Sequence, residues 1–260
     1  MDRNHRTLYR PTAPDDRVEL GPADVHLWYA RTDRISPVRY EMLRDVLAPE
    51  ERRRADDYFQ EKDRRTSTVA RGLLRLQLAQ YTGLPPAAIR FDSMGNGKPV
   101  LAASTGAGGA PPVYFNVSHS GKGVLLGFTR IADIGVDIED ADRDIDDLLD
   151  IAENFFAPGE ARVLRELPPA ELRRGFFNCW TRKEAFIKVY GEGLSRDLNS
   201  FEVELRPDQP PRLMIVDGSR EAADRFSLLA VDPEPDHVAA VCLPAAAPRI
   251  QAFAWDGRSE

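Results

Sequence analysis

The sequence predicts a mixed α/β fold of the α+β kind, in which small, mainly antiparallel sheets are packed against helices. Three observations carry this. Short runs rich in β-branched and aromatic residues alternate with longer stretches of helical spacing. Ile134-Gly-Val-Asp-Ile-Glu139 alternates apolar and polar with period two, as a strand requires. Phe176–Tyr190 is apolar nearly all round, has helical spacing, and stops at Gly191, a residue suited to a helix C-cap.

In chain order, the polar residues 1–22, with Pro11, Pro14 and Pro22, read as a loosely docked leader. Val25–Ala30 is the first expected strand. A helix is expected over Val38–Leu47. Another opens at Pro49 with Glu50 and Glu51 in its first turn, and a third covers Lys62–Tyr81 before Gly83. Ile89–Phe91 is a short strand, followed by the hairpin signal Asn96-Gly97 beside Lys98 and Pro99. Residues 102–112 are rich in Ala, Gly and Pro and read as a flexible loop. Val113–Phe115 leads into a turn expected to hold Ser118, His119 and Gly121. The next strand, Val124–Thr129, is apolar on both faces and so central. Ile134–Glu139 is expected to pair with it. Short helices over Leu148–Phe156 and from Pro158 to Leu167 precede the long helix. Strands follow over Phe201–Leu205, Arg212–Val216, Phe226–Val231 and His237–Leu243. From Pro244 the chain reads as a tail, with Ile250–Trp255 able to dock.

Two stretches carry chemistry. In Ile134–Glu139 the apolar residues point to one side. Gly135, Asp137 and Glu139 point to the other, where the glycine is expected to leave open space. Two carboxylates one pleat apart repel each other unless a cation lies between them. Hard oxygen donors of this kind suit Mg²⁺, which keeps water and substrate phosphate in its shell. The plain alternative is the solvated face of an edge strand. In the long helix, Trp180, Glu184 and Lys188 are four apart and share a face. Glu184 can add a third carboxylate and Lys188 can reach a phosphate. The alternative is a surface ion pair of a few tenths of a kcal/mol, about 0.3–0.5. Most arginines of the third helix read as a solvated face, but Arg54, Arg64 or Arg65 can fork a phosphate. The Ser118-His119 turn offers hydroxyl, imidazole and backbone N–H groups to another.

A net charge of −7 argues against nucleic-acid binding, and no apolar run has the length of a membrane span. The charge is uneven: residues 31–75 are net +3 and residues 133–160 net −10, as an anionic ligand with a metal would favour. Two cysteines make no disulfide framework or metal motif, and the start shows no signal peptide. A cytoplasmic, reducing location is therefore expected.

Gly97-Lys98-Pro99, Phe115-Asn-Val-Ser-His-Ser120, Gly135-Val-Asp-Ile-Glu139 and Trp180-Thr-Arg-Lys-Glu-Ala-Phe-Ile-Lys188, in that order, resemble the 4′-phosphopantetheinyl transferases, in their larger, surfactin-type branch. The resemblance implies two similar α/β halves related by a pseudo-twofold, with the active site in the cleft between them, in a monomer. The expected division is a leader over 1–22, an N-terminal half over 23–130, a C-terminal half over 131–244 and a tail over 245–260. The implied reaction moves the phosphopantetheine arm of coenzyme A onto a serine of an apo acyl or peptidyl carrier protein, leaving 3′,5′-ADP. Asp137, Glu139 and Glu184 would hold Mg²⁺, or Mn²⁺. Glu184 would take the serine proton and Lys188 would stabilise the leaving phosphate. Ser118 and His119 would meet the nucleotide phosphates, and Lys98 with Pro99 would lie at the adenine end. The family's lysines in the second helix are replaced here by Glu51 and Arg54. Its threonine on the next helix becomes Ser67, with Arg65 nearby. The alternatives are another Mg²⁺-dependent phosphoryl-transfer enzyme and a non-catalytic carrier-binding module. Carrier domains of this kind are commonly acidic, so arginine-rich surfaces beside the cleft would steer docking.

Overall fold

In the computed structural model, residues 7, 9–12, 17–95, 97–106, 111–191 and 196–255 are described. A five-stranded sheet forms the first layer. Its strands are β1 (Arg10–Thr12), β2 (Asp24–Arg31), β5 (Tyr114–Ser120), β6 (Gly123–Thr129) and β12 (Arg249–Trp255), in the order β1-β12-β2-β6-β5. Helices α1 (Pro37–Asp45), α2 (Pro49–Asp56) and α3 (Glu61–Thr82), with the hairpin β3 (Phe91–Met94) and β4 (Lys98–Leu101), lie between β2 and β5 in sequence. Leu43, Val69, Leu73 and Leu78 pack against Trp28, Leu126 and Phe128 to make this core.

A second sheet, ordered β10-β11-β7, is built from β7 (Gly135–Asp140), β10 (Ser227–Ala230) and β11 (His237–Leu243). Between β7 and β10 come α4 (Leu148–Phe155), α5 (Pro158–Glu166), α6 (Pro169–Tyr190), the hairpin β8 (Phe201–Val203) and β9 (Leu213–Val216), and the short α7 (Arg220–Ala223). Phe176, Phe177, Phe186 and Phe201 fill a core of their own.

The two halves repeat one plan. Each has a strand, three helices, a hairpin and two further strands, the second half adding the short α7, and of these three sheet strands the last lies between the other two: β6 between β2 and β5, β11 between β7 and β10. The third helix of each half ends on a left-handed glycine, Gly83 or Gly191. Eight residues before that cap stand Arg75 and Lys183. Arg75 donates to Glu51 at 2.6 Å, and Lys183 pairs with Glu160 at 2.8 Å. Glu51 and Glu160 each cap the start of the preceding helix by accepting from Ala48 N and Ala157 N. The expected pair of similar α+β halves is what the chain forms, and no described helix is long and apolar enough to cross a membrane.

Four expectations change. Residues 249–255 dock, as the sequence allowed, but as a full strand and not a tail: β12 runs parallel to β2 inside the first sheet, and β1, from the expected leader, adds to its other edge. Buried Phe253 and Trp255 explain why the segment docks so firmly. The hairpin β5–β6 turns at Gly121-Lys122, so Ser118 and His119 lie within a strand rather than in its turn. Residues 103–106 form a 3-10 turn, whereas Asn96 and 107–110, also part of expected turns and loops, lie outside the described residues.

The fourth change concerns β7, which pairs antiparallel with β11 and not with β6. It meets the first sheet edge to edge along β5, and polar side chains stand in for a backbone ladder. Asn116 Oδ1 accepts from Val136 N at 2.9 Å, and Ser120 Oγ accepts from Asp140 N at 3.1 Å. Nor is there open space beside Gly135. A Cβ there would collide with Ala185 O and lie 2.8 Å from Val189 N. The glycine lets α6 press directly on β7. Gly135→Ala is therefore expected to cost about 3 kcal/mol or more, at the upper end of overpacking, read as a loss in urea denaturation.

Candidate active site

The seam between the halves gathers the chemistry. Along β5, Asn116, Ser118 and Ser120 point the same way; along β7, Asp137 and Glu139 face them and α6. Because α6 packs on this strand, both carboxylates are buried, Asp137 at 3% and Glu139 at 9% exposure, rather than forming a solvated face. Lys188 comes from α6 and puts its Nζ 2.5 Å from Asp137 Oδ1. Ser118 Oγ donates to the same oxygen at 2.8 Å and accepts from Lys188 at 3.0 Å. Ser120 Oγ donates to Glu139 Oε2 at 2.6 Å, and Arg143 pairs with that oxygen at 3.1 Å.

This crowding has electrostatic consequences. Burial, then the nearby Asp137 charge, raises the pKa of both Glu139 and Glu184. Burial pushes Lys188 down, but Asp137, Glu184 and Glu139 together outweigh it and hold the ammonium above its ordinary value. Asp137 Oδ2 is buried without a hydrogen-bond partner. An orphaned carboxylate oxygen flanked by two carboxylates that resist ionisation is a donor set that fits a hard divalent cation.

On the first-half side, exposed His119 of β5 has its pKa lowered by desolvation and then by Lys188, and Asp63 on α3 lies close enough to oppose that shift. One helical turn past Asp63, Ser67 lines a pocket of about 360 Å³ with Glu51, Arg54, Asp57, Tyr58 and Arg71. Arg54 and Ser67 are thus brought together as expected. Arg71 joins them, resting over the Phe91 ring and paired with Glu51 at 3.2 Å.

Several expected site residues are engaged elsewhere. Arg65 donates to the carbonyls of Thr32 (2.7 Å) and Ile35 and lies over Tyr40, so its fork is filled by protein. The Lys98 ammonium is turned inward, away from any loop surface, and donates to Val189 O at 2.5 Å and Ile134 O at 3.0 Å. Pro99 sits in β4 opposite Ser93. Ser118 binds Asp137 and Lys188 instead of standing free for a phosphate. Trp180 packs between Phe156 and Phe176. Lys183, next to Glu184, is fully buried and donates to Leu198 O and Phe201 O as well as pairing with Glu160.

Sequence reasoning missed Asn116, Ser120, Arg143 and Arg71 as contributors. A signal for the first two was present: Asn116, Ser118 and Ser120 are polar at every second position of the strand and so share a face. Among the described residues, the one trio of potential ligands whose atoms converge within 4.8 Å is Glu234, Asp236 and His237. Arg31 and Arg34 hold its carboxylates, which makes it an ion-pair network between the halves.

With this geometry in view, the chain was compared with known proteins. One family model, described as the 4′-phosphopantetheinyl transferase superfamily, matches residues 133–242, and another, described as the N-terminal part of a 4′-phosphopantetheinyl transferase, matches residues 34–129. The 4′-phosphopantetheinyl transferase HetI of Nostoc sp. is 34% identical over 232 residues, covering 89% of this chain and 90% of its own. The chain belongs to the 4′-phosphopantetheinyl transferase family. Its similarity extends to psf-1 of Bacillus pumilus, 33% identical over 90% of this chain and 92% of that one, and to Sfp of Bacillus subtilis, 32% identical over 67% and 73%. This transferase is thus of the larger, Sfp-like branch, an enzyme that moves the phosphopantetheine arm of coenzyme A onto apo carrier proteins.

In this transferase two adjacent residues of α6 do opposite work, and stability separates them. Lys183→Met leaves Glu160 buried and unpaired and is expected to cost about 3–5 kcal/mol in urea denaturation at pH 7. Glu184→Gln removes a carboxylate whose ionisation burial disfavours, and is expected to leave stability unchanged or slightly raised in the same measurement.

Proposed function

We propose that Asp137, Glu139 and Glu184 hold Mg²⁺, with Mn²⁺ as a substitute, and that the bond-breaking step occurs at the β5–β7 seam. The observation that carries this is the buried, unpartnered Asp137 Oδ2 among carboxylates of raised pKa. A divalent cation there would offset the charge on the pyrophosphate as its bridging bond breaks. Glu184, directly or through a metal-bound water, accepts the proton of the carrier serine. The serine oxygen attacks the phosphorus bearing the pantetheine arm, the P–O bond to the nucleotide breaks, and 3′,5′-ADP leaves. Lys188, already charged and aimed into the seam, donates to the departing phosphate.

The nucleotide end runs along the groove past His119, and its 3′-phosphate takes the pocket of Arg54, Ser67 and Arg71. Guanidinium forks match phosphate oxygens bidentately, which compensates for the acidic Glu51 beside them. Glu51 is itself neutralised by Arg71 and Arg75. The enzyme acts as a cytoplasmic monomer on acidic acyl or peptidyl carrier domains. That reading is supported by both halves lying in one chain and by the arginines near the cleft.

The test is an intact-mass assay with an apo acyl carrier protein, coenzyme A and Mg²⁺, repeated with EDTA. One phosphopantetheine mass should appear on the carrier serine, and EDTA should abolish it; transfer at full rate in EDTA removes the metal from this reading. Glu184→Gln should reduce kcat by roughly 10²–10⁴-fold, the range expected for loss of a general base. Arg54→Ala and His119→Ala should raise the KM for coenzyme A while changing kcat little. The Arg54 effect should vanish with dephospho-coenzyme A, which lacks the 3′-phosphate.

A further inference from the structure

Lys98 opens β4, opposite Met94, in a hairpin that belongs to the first half of the chain. Its side chain nevertheless crosses into the second half. The Nζ donates to Val189 O at 2.5 Å, to Ile134 O at 3.0 Å and to Asp133 Oδ1 at 3.5 Å, so its three N–H donors meet three acceptors. Burial lowers its pKa, and Asp133 opposes part of that shift.

The choice of acceptors is what matters. Val189 directly follows Lys188 in the last turn of α6. There the carbonyls lack helical partners and the helix dipole favours a cation. Ile134 directly precedes β7, three residues before Asp137. A single ammonium therefore joins the helix end bearing Lys188 to the strand start bearing Asp137. The hairpin turn is also jammed against the same helix end. Gly95 (φ 55°) and Gly191 (φ 66°) are both left-handed; a Cβ on Gly95 would collide with Gly191 O, and one on Gly191 would lie 2.9 Å from Lys98 Cβ. Backbone rests on backbone, and Lys98 is the polar bolt through the contact.

We propose that Lys98 is a positioning residue for phosphopantetheine transfer, setting the Lys188–Asp137 contact through Val189 O and Ile134 O without touching coenzyme A. The inference rests on the reading of Lys188 and Asp137 given above. Those two groups sit on different elements, 2.5 Å apart, so their register depends on what pins α6 to β7. A shift of about 1 Å at reacting groups can cost on the order of 10²-fold in rate.

The experiment compares Lys98→Met, Lys188→Met and the double variant as full-length proteins. Steady-state kinetics are measured on an apo carrier well below each variant's melting transition and normalised to folded protein. Lys98→Met should lower kcat by about 10- to 100-fold with the KM for coenzyme A within about threefold of wild type. The double variant should be about as slow as Lys188→Met alone, because two losses that act through one contact do not multiply. A raised KM with kcat intact would mean that the ammonium touches coenzyme A and would overturn the inference. So would multiplicative losses, or wild-type kinetics in Lys98→Met beside an impaired Lys188→Met. If Lys188→Met itself turns over at the wild-type rate, the site reading fails first and takes this inference with it. Should Lys98→Met not fold, Lys98→Gln, which keeps N–H donors on a shorter stem, takes its place in the cycle; it should lower kcat by a smaller factor with the KM for coenzyme A unchanged, and a raised KM or losses that multiply with Lys188→Met would overturn the inference.

Discussion

Two sheet edges meet in the middle of this molecule and do not pair. An exposed strand edge presents N–H groups that must find acceptors, and burying an edge without them is costly. Here β5 supplies Asn116 Oδ1 and Ser120 Oγ to the free N–H groups of Val136 and Asp140. A backbone ladder would have drawn the strands to the usual spacing and merged the halves into one sheet. Side chains hold them slightly apart instead, leaving room between β5, β7 and α6 for the groups that do chemistry. Ser118 and Ser120 then have a second use, because their hydroxyls also donate to Asp137 and Glu139. Structural joint and active site are made from the same residues.

The duplicated plan shows which parts of the chain are scaffold and which are specialised. Glu51 with Arg75 and Glu160 with Lys183 are the same device used twice: a buried carboxylate caps one helix and grips a cation eight residues before the glycine cap of the next. In both halves the cation also binds carbonyls leading into the hairpin, those of Pro86 and Ile89 or of Leu198 and Phe201. The chemistry appears only where the repeat is broken. Glu184 and Lys188 on α6 correspond, by their distance from the glycine cap, to Leu76 and Gln80 on α3. The second half uses this helix face to bring Glu184 and Lys188 to the β7 carboxylates, while the first half contributes Arg54 and Arg71 to a pocket of its own.

That distinction explains what could be read from the chain alone. Helix spans, glycine caps and most strands follow from local spacing, and those were legible. So was the sharing of faces by Asp137 with Glu139 and by Glu184 with Lys188, because alternation and four-residue spacing assign side chains to faces before any fold is known. Long-range pairing was not legible. The partner of β7 lies about a hundred residues away in β11, past seven elements, so the adjacent strand β6 was the natural but mistaken choice. Arg65 and Lys98 illustrate a second limit. A basic residue beside a turn looks the same in sequence whether its acceptor is a ligand phosphate or a backbone carbonyl from another element. Only the fold decides, and for both residues it chose carbonyls.

The site is also costly in a particular way. Glu139 and Glu184 resist ionisation because Asp137 is close and water is scarce, and Asp137 keeps one oxygen without a partner. Lys188 relieves part of that strain by leaning on Asp137, and Arg143 relieves part at Glu139. Neither side chain reaches all three carboxylates, whose oxygens do not converge as tightly as those of the Glu234 network. A cation and a pyrophosphate entering together would neutralise the carboxylates and give Lys188 a new anionic partner, so that binding releases the tension built in by folding. An arrangement that is uncomfortable when empty and compensated when full converts binding energy into order at the reacting groups. This is why the lysine that fixes the Lys188–Asp137 distance comes from the opposite half: the strained contact has to be held by something that does not itself take part in the exchange.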